Sequence, residues 1–195
     1  MEARQLLDAL HVAEKLKDAT RHCYTSGGRH ESVAEHSWRL ALMAYFLRDD
    51  FPEADMDKVV RMCLIHDLGE AFTGDIPTFL KTDADRAAED SLLSRWVASL
   101  PEPHAREMAA LYAEMEVRQS LEARIYKALD GLEALIQHNE SDLSTWSENE
   151  YELNLHYCDD RVGFSPALRA LREAIREDTT AKLAEANKEQ GEKLC

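Results

Sequence analysis

The chain has 195 residues, 45% of them apolar and 31% charged, which suits one soluble globular domain with a substantial core. Its net charge of −15 and pI near 4.9 count against a nucleic-acid backbone or an anionic membrane as a bulk partner, because no basic surface is there to release counterions. A small anionic substrate stays open if a bound cation inverts the local field.

Seven Gly and five Pro predict long helices joined by few turns. Cysteines 23, 63, 158 and 195 show no CxxC spacing and read as reduced thiols of a cytoplasmic protein, not as a disulfide frame or zinc knuckle. The N-terminus has no hydrophobic signal core, and no stretch approaches the roughly 18 apolar residues of a membrane span. A soluble cytoplasmic protein is expected.

Residues 3–17 set Leu6, Leu7, Leu10, Val12 and Leu16 among charges and predict an amphipathic first helix. Ser26-Gly27-Gly28 opens a loop. Ser32 with Glu35 forms a capping box, starting a helix with Val33, His36, Leu40, Met43 and Leu47 on one face. Phe51-Pro52-Glu53 ends it. The next helix is expected from about Asp57 to Ala71, with Val59, Met62, Cys63 and His66 buried and Glu70 one turn on. Thr73-Gly74-Asp75-Ile76-Pro77-Thr78 is a turn-rich connector. Helices over 84–99 and 104–117 follow, separated by Pro101 and Pro103. Their Leu92, Leu93, Trp96, Val97 and Leu111 exceed what one small core absorbs and point to a homodimer. A long helix from about Leu121 to His138 turns Leu121, Ile125, Leu129, Leu132 and Ile136 inward and carries Asp130. Ser165-Pro166 starts a C-terminal helix over about 165–187, with a polar tail expected to fray from about Lys182. No strand pattern emerges. The expected fold is all-α, one domain over 1–195, with a motif-bearing core at about 16–140.

His36 and His66 each fall on the apolar side of a helix. A lone buried histidine usually bonds a backbone carbonyl. Two of them, one followed directly by Asp67, suggest a metal site. Imidazole nitrogen and carboxylate oxygen together suit one divalent cation such as Mn²⁺, Co²⁺, Mg²⁺, Fe or Zn²⁺. Asp130 would supply a fourth ligand; by itself it would read as a surface carboxylate. Residues 66 and 70 are four apart and 67 and 70 three apart, so Glu70 hangs beside the pair, able to orient or deprotonate a water. Asp75 could present a second carboxylate, or simply form the turn after Gly74.

The ordered set His36, His66-Asp67, Asp130 resembles the pattern of the HD-domain metal-dependent phosphohydrolases. The runs Glu31-Ser32-Val33-Ala34-Glu35-His36-Ser37 and His66-Asp67-Leu68-Gly69-Glu70-Ala71-Phe72-Thr73-Gly74-Asp75-Ile76-Pro77 are similar to the YfbR-like 5′-deoxynucleotidase and HD-domain-containing protein 2 branch. The resemblance covers about residues 16–140. It implies an HD-domain helical bundle with additional terminal helices and one divalent cation on His36, His66, Asp67 and Asp130. It implies that Glu70 and Asp75 handle the attacking water and the leaving 5′-oxygen. Arg21 falls where the branch holds the substrate phosphate, which suits a planar guanidinium. At the next position the branch carries a tryptophan packing on the sugar; this chain has His22, which removes the ground for strict 2′-deoxy selectivity.

The implied activity is a phosphomonoesterase acting on nucleoside 5′-monophosphates or a related small phosphate ester. Two other readings stay open: a non-catalytic nucleotide-binding regulatory HD domain, and a di-iron HD-fold oxygenase. The last needs further histidines between the HD pair and the final Asp, where only His104 stands. Arg29 reads as a second phosphate contact or a surface residue. His138 reads as a substrate group or as a helix C-terminal histidine meeting the dipole. Trp38, Trp96 and Trp146 read as core or interface.

Overall fold

The computed structural model describes residues 1–77 and 80–192, so Thr78 of the expected connector and Cys195 lie outside the described residues. Two compact units result, Met1–His22 with His30–Lys127, and Cys23–Arg29 with Ala128 onward.

In the first unit, α1 (Ala3–Glu14) and a 3₁₀ turn at Lys15–Lys17 match the first expected helix. Its apolar stripe is mostly uncovered: Leu6, Leu7 and Leu10 are exposed, and Leu16 is buried. Strands β1 (Thr20–Tyr24) and β2 (His30–Ser32) then pair, which corrects the expectation of no strand. Strands of five and three residues are too short to display an alternating pattern. The Thr25 amide donates to the Arg29 carbonyl at 2.7 Å and closes their turn, where Gly28 takes a positive φ.

Helix α2 (Val33–Phe46) starts at the expected capping box. The Glu35 amide donates to Ser32 Oγ at 3.2 Å, and the Ser32 amide donates back to Glu35 Oε2 at 2.9 Å. Its inner face buries Val33, His36 and Leu40 completely. Helix α3 (Met56–Ile65) packs along α2 and buries Val59, Met62 and Cys63. It stops six residues short of the expected Ala71. Turns over 66–69 and a short α4 (Glu70–Thr73) follow. Three-residue bonds tighten that stretch, Leu68 N–H to the Ile65 carbonyl at 3.1 Å and Glu70 N–H to the Asp67 carbonyl at 3.0 Å.

Helices α5 (Asp83–Ser99) and α6 (His104–Val117) lie where expected. Leu93 and Val97 join Leu16, Val33, Leu68 and Ala71 in one core cluster, with Trp96, Met108 and Tyr112 packed on it. Thus the residues set aside for a dimer largely serve this core, because α5 lies back over the turn that follows α3.

Helix α7 (Leu121–Glu140) belongs to the first unit through Lys127 and to the second from Ala128. It buries Ile125, Leu129 and Leu132 as expected. The second unit adds α8 (Glu148–His156), α9 (Asp159–Val162) and α10 (Pro166–Glu192). Short, polar α8 and α9 carried no readable periodicity, and α10 continues past 187 to Glu192. Arg172, 2% exposed, binds this unit together. It donates to the Tyr157 and Asn154 carbonyls at 2.9 and 3.2 Å and meets Asp159 at 2.9 Å. Among the described residues no helix is long and apolar enough to cross a membrane.

Candidate active site

The end of α3 sets the site. Tyr112, on α6, donates its hydroxyl to the Ile65 carbonyl at 2.5 Å, and the chain turns immediately after, at His66-Asp67. Burial, with the charges of Asp67 and Glu89, holds the Tyr112 hydroxyl well above the ordinary phenol range, so it stays a donor. The turn points His66 at His36 from α2. Their Nε2 atoms are 3.3 Å apart, and Asp67 Oδ2 lies 2.9 Å from His66 Nε2 and 3.8 Å from His36 Nε2.

His66 Nδ1 lies 2.9 Å from the Cys63 carbonyl, a partner that can only accept. With Nδ1 donating to that carbonyl, Nε2 would be free to give its lone pair to a cation held jointly with Asp67 Oδ2. Two imidazole nitrogens and a carboxylate oxygen therefore converge within 4.8 Å, with His36 fully buried. Electron-rich atoms gathered so closely suit a divalent cation, and N,N,O is a chemically competent donor set for one.

Asp130 lies on α7 within the second unit and is half-buried there. Its charge is felt by Cys158 and Arg161 of the same unit. Burial foremost, with Asp130 and Asp160 adding to it, pushes the Cys158 thiol up to about 12, so that cysteine is a neutral packing group.

Glu70 opens α4 beside the histidine–aspartate turn and is 6% exposed. Burial foremost, then the charges of Asp67 and Asp75, push its carboxyl up to about 10 against the opposing charge of Lys81. Asp75 follows Gly74, whose φ of 76° and ψ of 165° suit glycine and turn the chain sharply after α4. Burial raises the Asp75 carboxyl too, while Arg21 opposes, Asp67 adds, and His22 and Glu70 oppose. Those interactions bring Arg21, His22, Asp67, Glu70 and Asp75 into one neighbourhood. Arg21 leaves β1 and meets buried Glu31 of β2, Nε to Oε2 at 3.5 Å. A guanidinium next to a paired-carboxyl acid–base group is equipped to hold an anion while a proton moves.

Four participants were invisible in the sequence: Glu31, Lys81, Glu89 and Tyr112. Lys81 Nζ lies 2.6 Å from Glu89 Oε2 and 3.9 Å from Glu70 Oε1. Burial works against this ammonium, but the Glu89 hydrogen bond and the charges of Glu89, Glu70 and Asp67 outweigh it and hold Lys81 above its ordinary value. Arg29 is exposed near the hairpin turn. His138 sits against Glu150 at 3.6 Å and the Trp146 ring within the second unit. Trp146 is buried, Trp96 half-buried and Trp38 exposed.

Several known proteins resemble this chain over most of its length. 5′-Deoxynucleotidase HDDC2 of Homo sapiens is 33% identical over 142 residues, 71% of this chain and 69% of that protein. The Mus musculus protein of the same name is 31% identical over 193 residues, 95% of this chain and 94% of its own length. The crystal structure of a "Predicted metal-dependent phosphohydrolase" from Magnetospirillum magnetotacticum MS-1 superposes with a TM-score of 0.79 at 28% identity, covering 92% of this chain and 93% of that one. The HD domain family model matches residues 13–172, a span that runs from α1 into α10 and carries the histidine–aspartate turn with all its neighbours; the chain belongs to the HD domain family.

Proposed function

We propose that this chain is a metal-dependent phosphomonoesterase of nucleoside 5′-monophosphates, acting as one HD domain. The observation that carries the reading is the convergence of His36 Nε2, His66 Nε2 and Asp67 Oδ2 next to the buried Glu70 carboxyl. Relatives of this chain are named 5′-deoxynucleotidases. His36, His66 and Asp67 would hold one divalent cation, with Asp130 as the fourth ligand implied by the ordered family pattern. When bound, that cation supplies Lewis-acid polarisation of a phosphate oxygen and lowers the pKa of water.

The chain's own groups do the rest. Arg21, backed by Glu31, grips the phosphate with its guanidinium, and His22 lies toward the sugar. Glu70 takes a proton from the attacking water, and Asp75 gives one to the departing 5′-oxygen. Burial raises the Asp75 carboxyl, which suits the donor, and a divalent cation bound beside Glu70 would favour the ionised carboxylate that can accept.

The same reading makes the protein cytoplasmic and homodimeric. Cys23, Cys63 and Cys158, buried and outside any disulfide among the described residues, support the first. For the second, Trp38, Tyr45 and Phe46 expose 62%, 51% and 70% of their surface on α2.

The test is phosphate release from a panel of ribo- and deoxyribonucleoside 5′-monophosphates, with protein loaded in turn with Mn²⁺, Co²⁺, Mg²⁺, Fe²⁺ and Zn²⁺. Turnover of both sugar series with at least one metal is expected. No release from any pairing would overturn the reading, and a site that also stays empty under excess metal would favour a regulatory binding domain. Asp67→Ala is expected to abolish Mn²⁺ binding, measured calorimetrically, together with turnover.

A further inference from the structure

The buried cation beside Glu70 has no part in the chemistry above. Lys81, Glu89 and Glu70 expose only 11%, 15% and 7% of their side chains. Burying a charged lysine costs free energy unless it is paired. The pairing is lopsided: Glu89 Oε2 is at 2.6 Å and Glu70 Oε1 at 3.9 Å. Glu89 is itself held from two sides. Thr73 Oγ1 donates to Glu89 Oε2 at 3.3 Å. The missing side chain of Gly69 makes room for it, since a Cβ there would lie 2.7 Å from Glu89 Cγ. The ammonium therefore faces one oxygen of Glu70, while the other, Oε2, is buried with no hydrogen-bond partner.

We propose that Glu89 and Lys81 are positioning residues: Glu89, from α5, anchors the Lys81 ammonium against Glu70 Oε1 and so aims Oε2 at the attacking water. A glutamate side chain has three torsions, and a charge on one oxygen selects the orientations in which the other points away. Gly69, between the histidine–aspartate pair and Glu70, is what lets α5 bring Glu89 close enough. This inference rests on the phosphomonoesterase reading, in which Glu70 meets the water.

Steady-state phosphate release by the metal-loaded wild type, Lys81→Met, Lys81→Arg and Glu89→Gln tests it, with Mn²⁺ affinity measured on each. Lys81→Met is expected to lower kcat about tenfold to a hundredfold, the loss typical of a misaimed catalytic group, with KM and Mn²⁺ affinity changed less than about threefold. Lys81→Arg should restore most of kcat. Glu89→Gln should lower kcat about tenfold, and the Lys81→Met/Glu89→Gln double variant should be no slower than Lys81→Met, because the two act as one unit. A purely structural role would not be rescued by arginine or leave Mn²⁺ affinity intact. If Lys81→Met fails to fold, Glu89→Gln carries the kcat test. An active wild type with unchanged kcat in Glu89→Gln, or a Lys81→Met that raises KM alone, overturns the proposal and leaves the phosphomonoesterase reading standing. The second result would make Lys81 a substrate grip instead. An inactive wild type sinks both.

Discussion

At the scale of single residues, the charge state of Glu70 carries a measurable consequence. Its carboxyl is raised by burial from 4.5 to about 10, so the metal-free folded chain binds a proton there that the unfolded chain has already released. Stability from this group is full below about 4.5 and is lost as pH rises toward 10. In metal-free protein, Glu70→Gln should therefore melt higher than the wild type, by a margin that widens from pH 5 to pH 9; thermal melts across that range check it. The same variant should lose about a hundredfold or more in kcat, since a general acid–base group is removed. Tyr112→Phe should cost about 1 kcal/mol through the lost bond to the Ile65 carbonyl, read as a lower urea midpoint at unchanged slope. None of this burial is legible in the sequence. The positions of His36, His66, Asp67 and Glu70 are, because their types and spacing were enough to single out a candidate cation site.

At the scale of elements, the turn after α3 matters most. A periodic reading continued that helix to Ala71 from the stripe of Val59, Met62, Cys63 and His66, with Glu70 one turn on. Where the helix ends, the Ile65 carbonyl accepts both from the Leu68 amide and from Tyr112, 47 residues away along the chain, a contact that no local pattern records. The capping box at Ser32 was legible for the opposite reason: all its bonds span three residues. The connector gains its shape from Gly74. Gly74→Ala should cost about 1–3 kcal/mol for the strained backbone and lower kcat by displacing Asp75, measured by denaturation and turnover together. Gly69→Ala should reproduce the kinetic defect of Glu89→Gln, since the new methyl would push that side chain off Lys81.

Across the whole molecule, cation binding should be a stability term. A ligand that binds only the folded state stabilises it by about 2.7 kcal/mol at a hundred times its Kd, so excess Mn²⁺ should raise the melting temperature and a chelator should reverse it. Asp67→Ala should abolish that shift. The strongly acidic surface, at −15, leaves the small basic neighbourhood of Arg21 and a bound cation as the local attractors for a phosphate. The helical class, the boundaries of α5 and α6, the candidate cation ligands and the family were legible in the sequence alone. Each rests on residue type and spacing over a few turns. The hairpin, the break after Ile65, the proton on Glu70 and the Lys81–Glu89 anchor were decided only by the tertiary structure. Those depend on which distant groups packing brings together and on how much water it removes from between them.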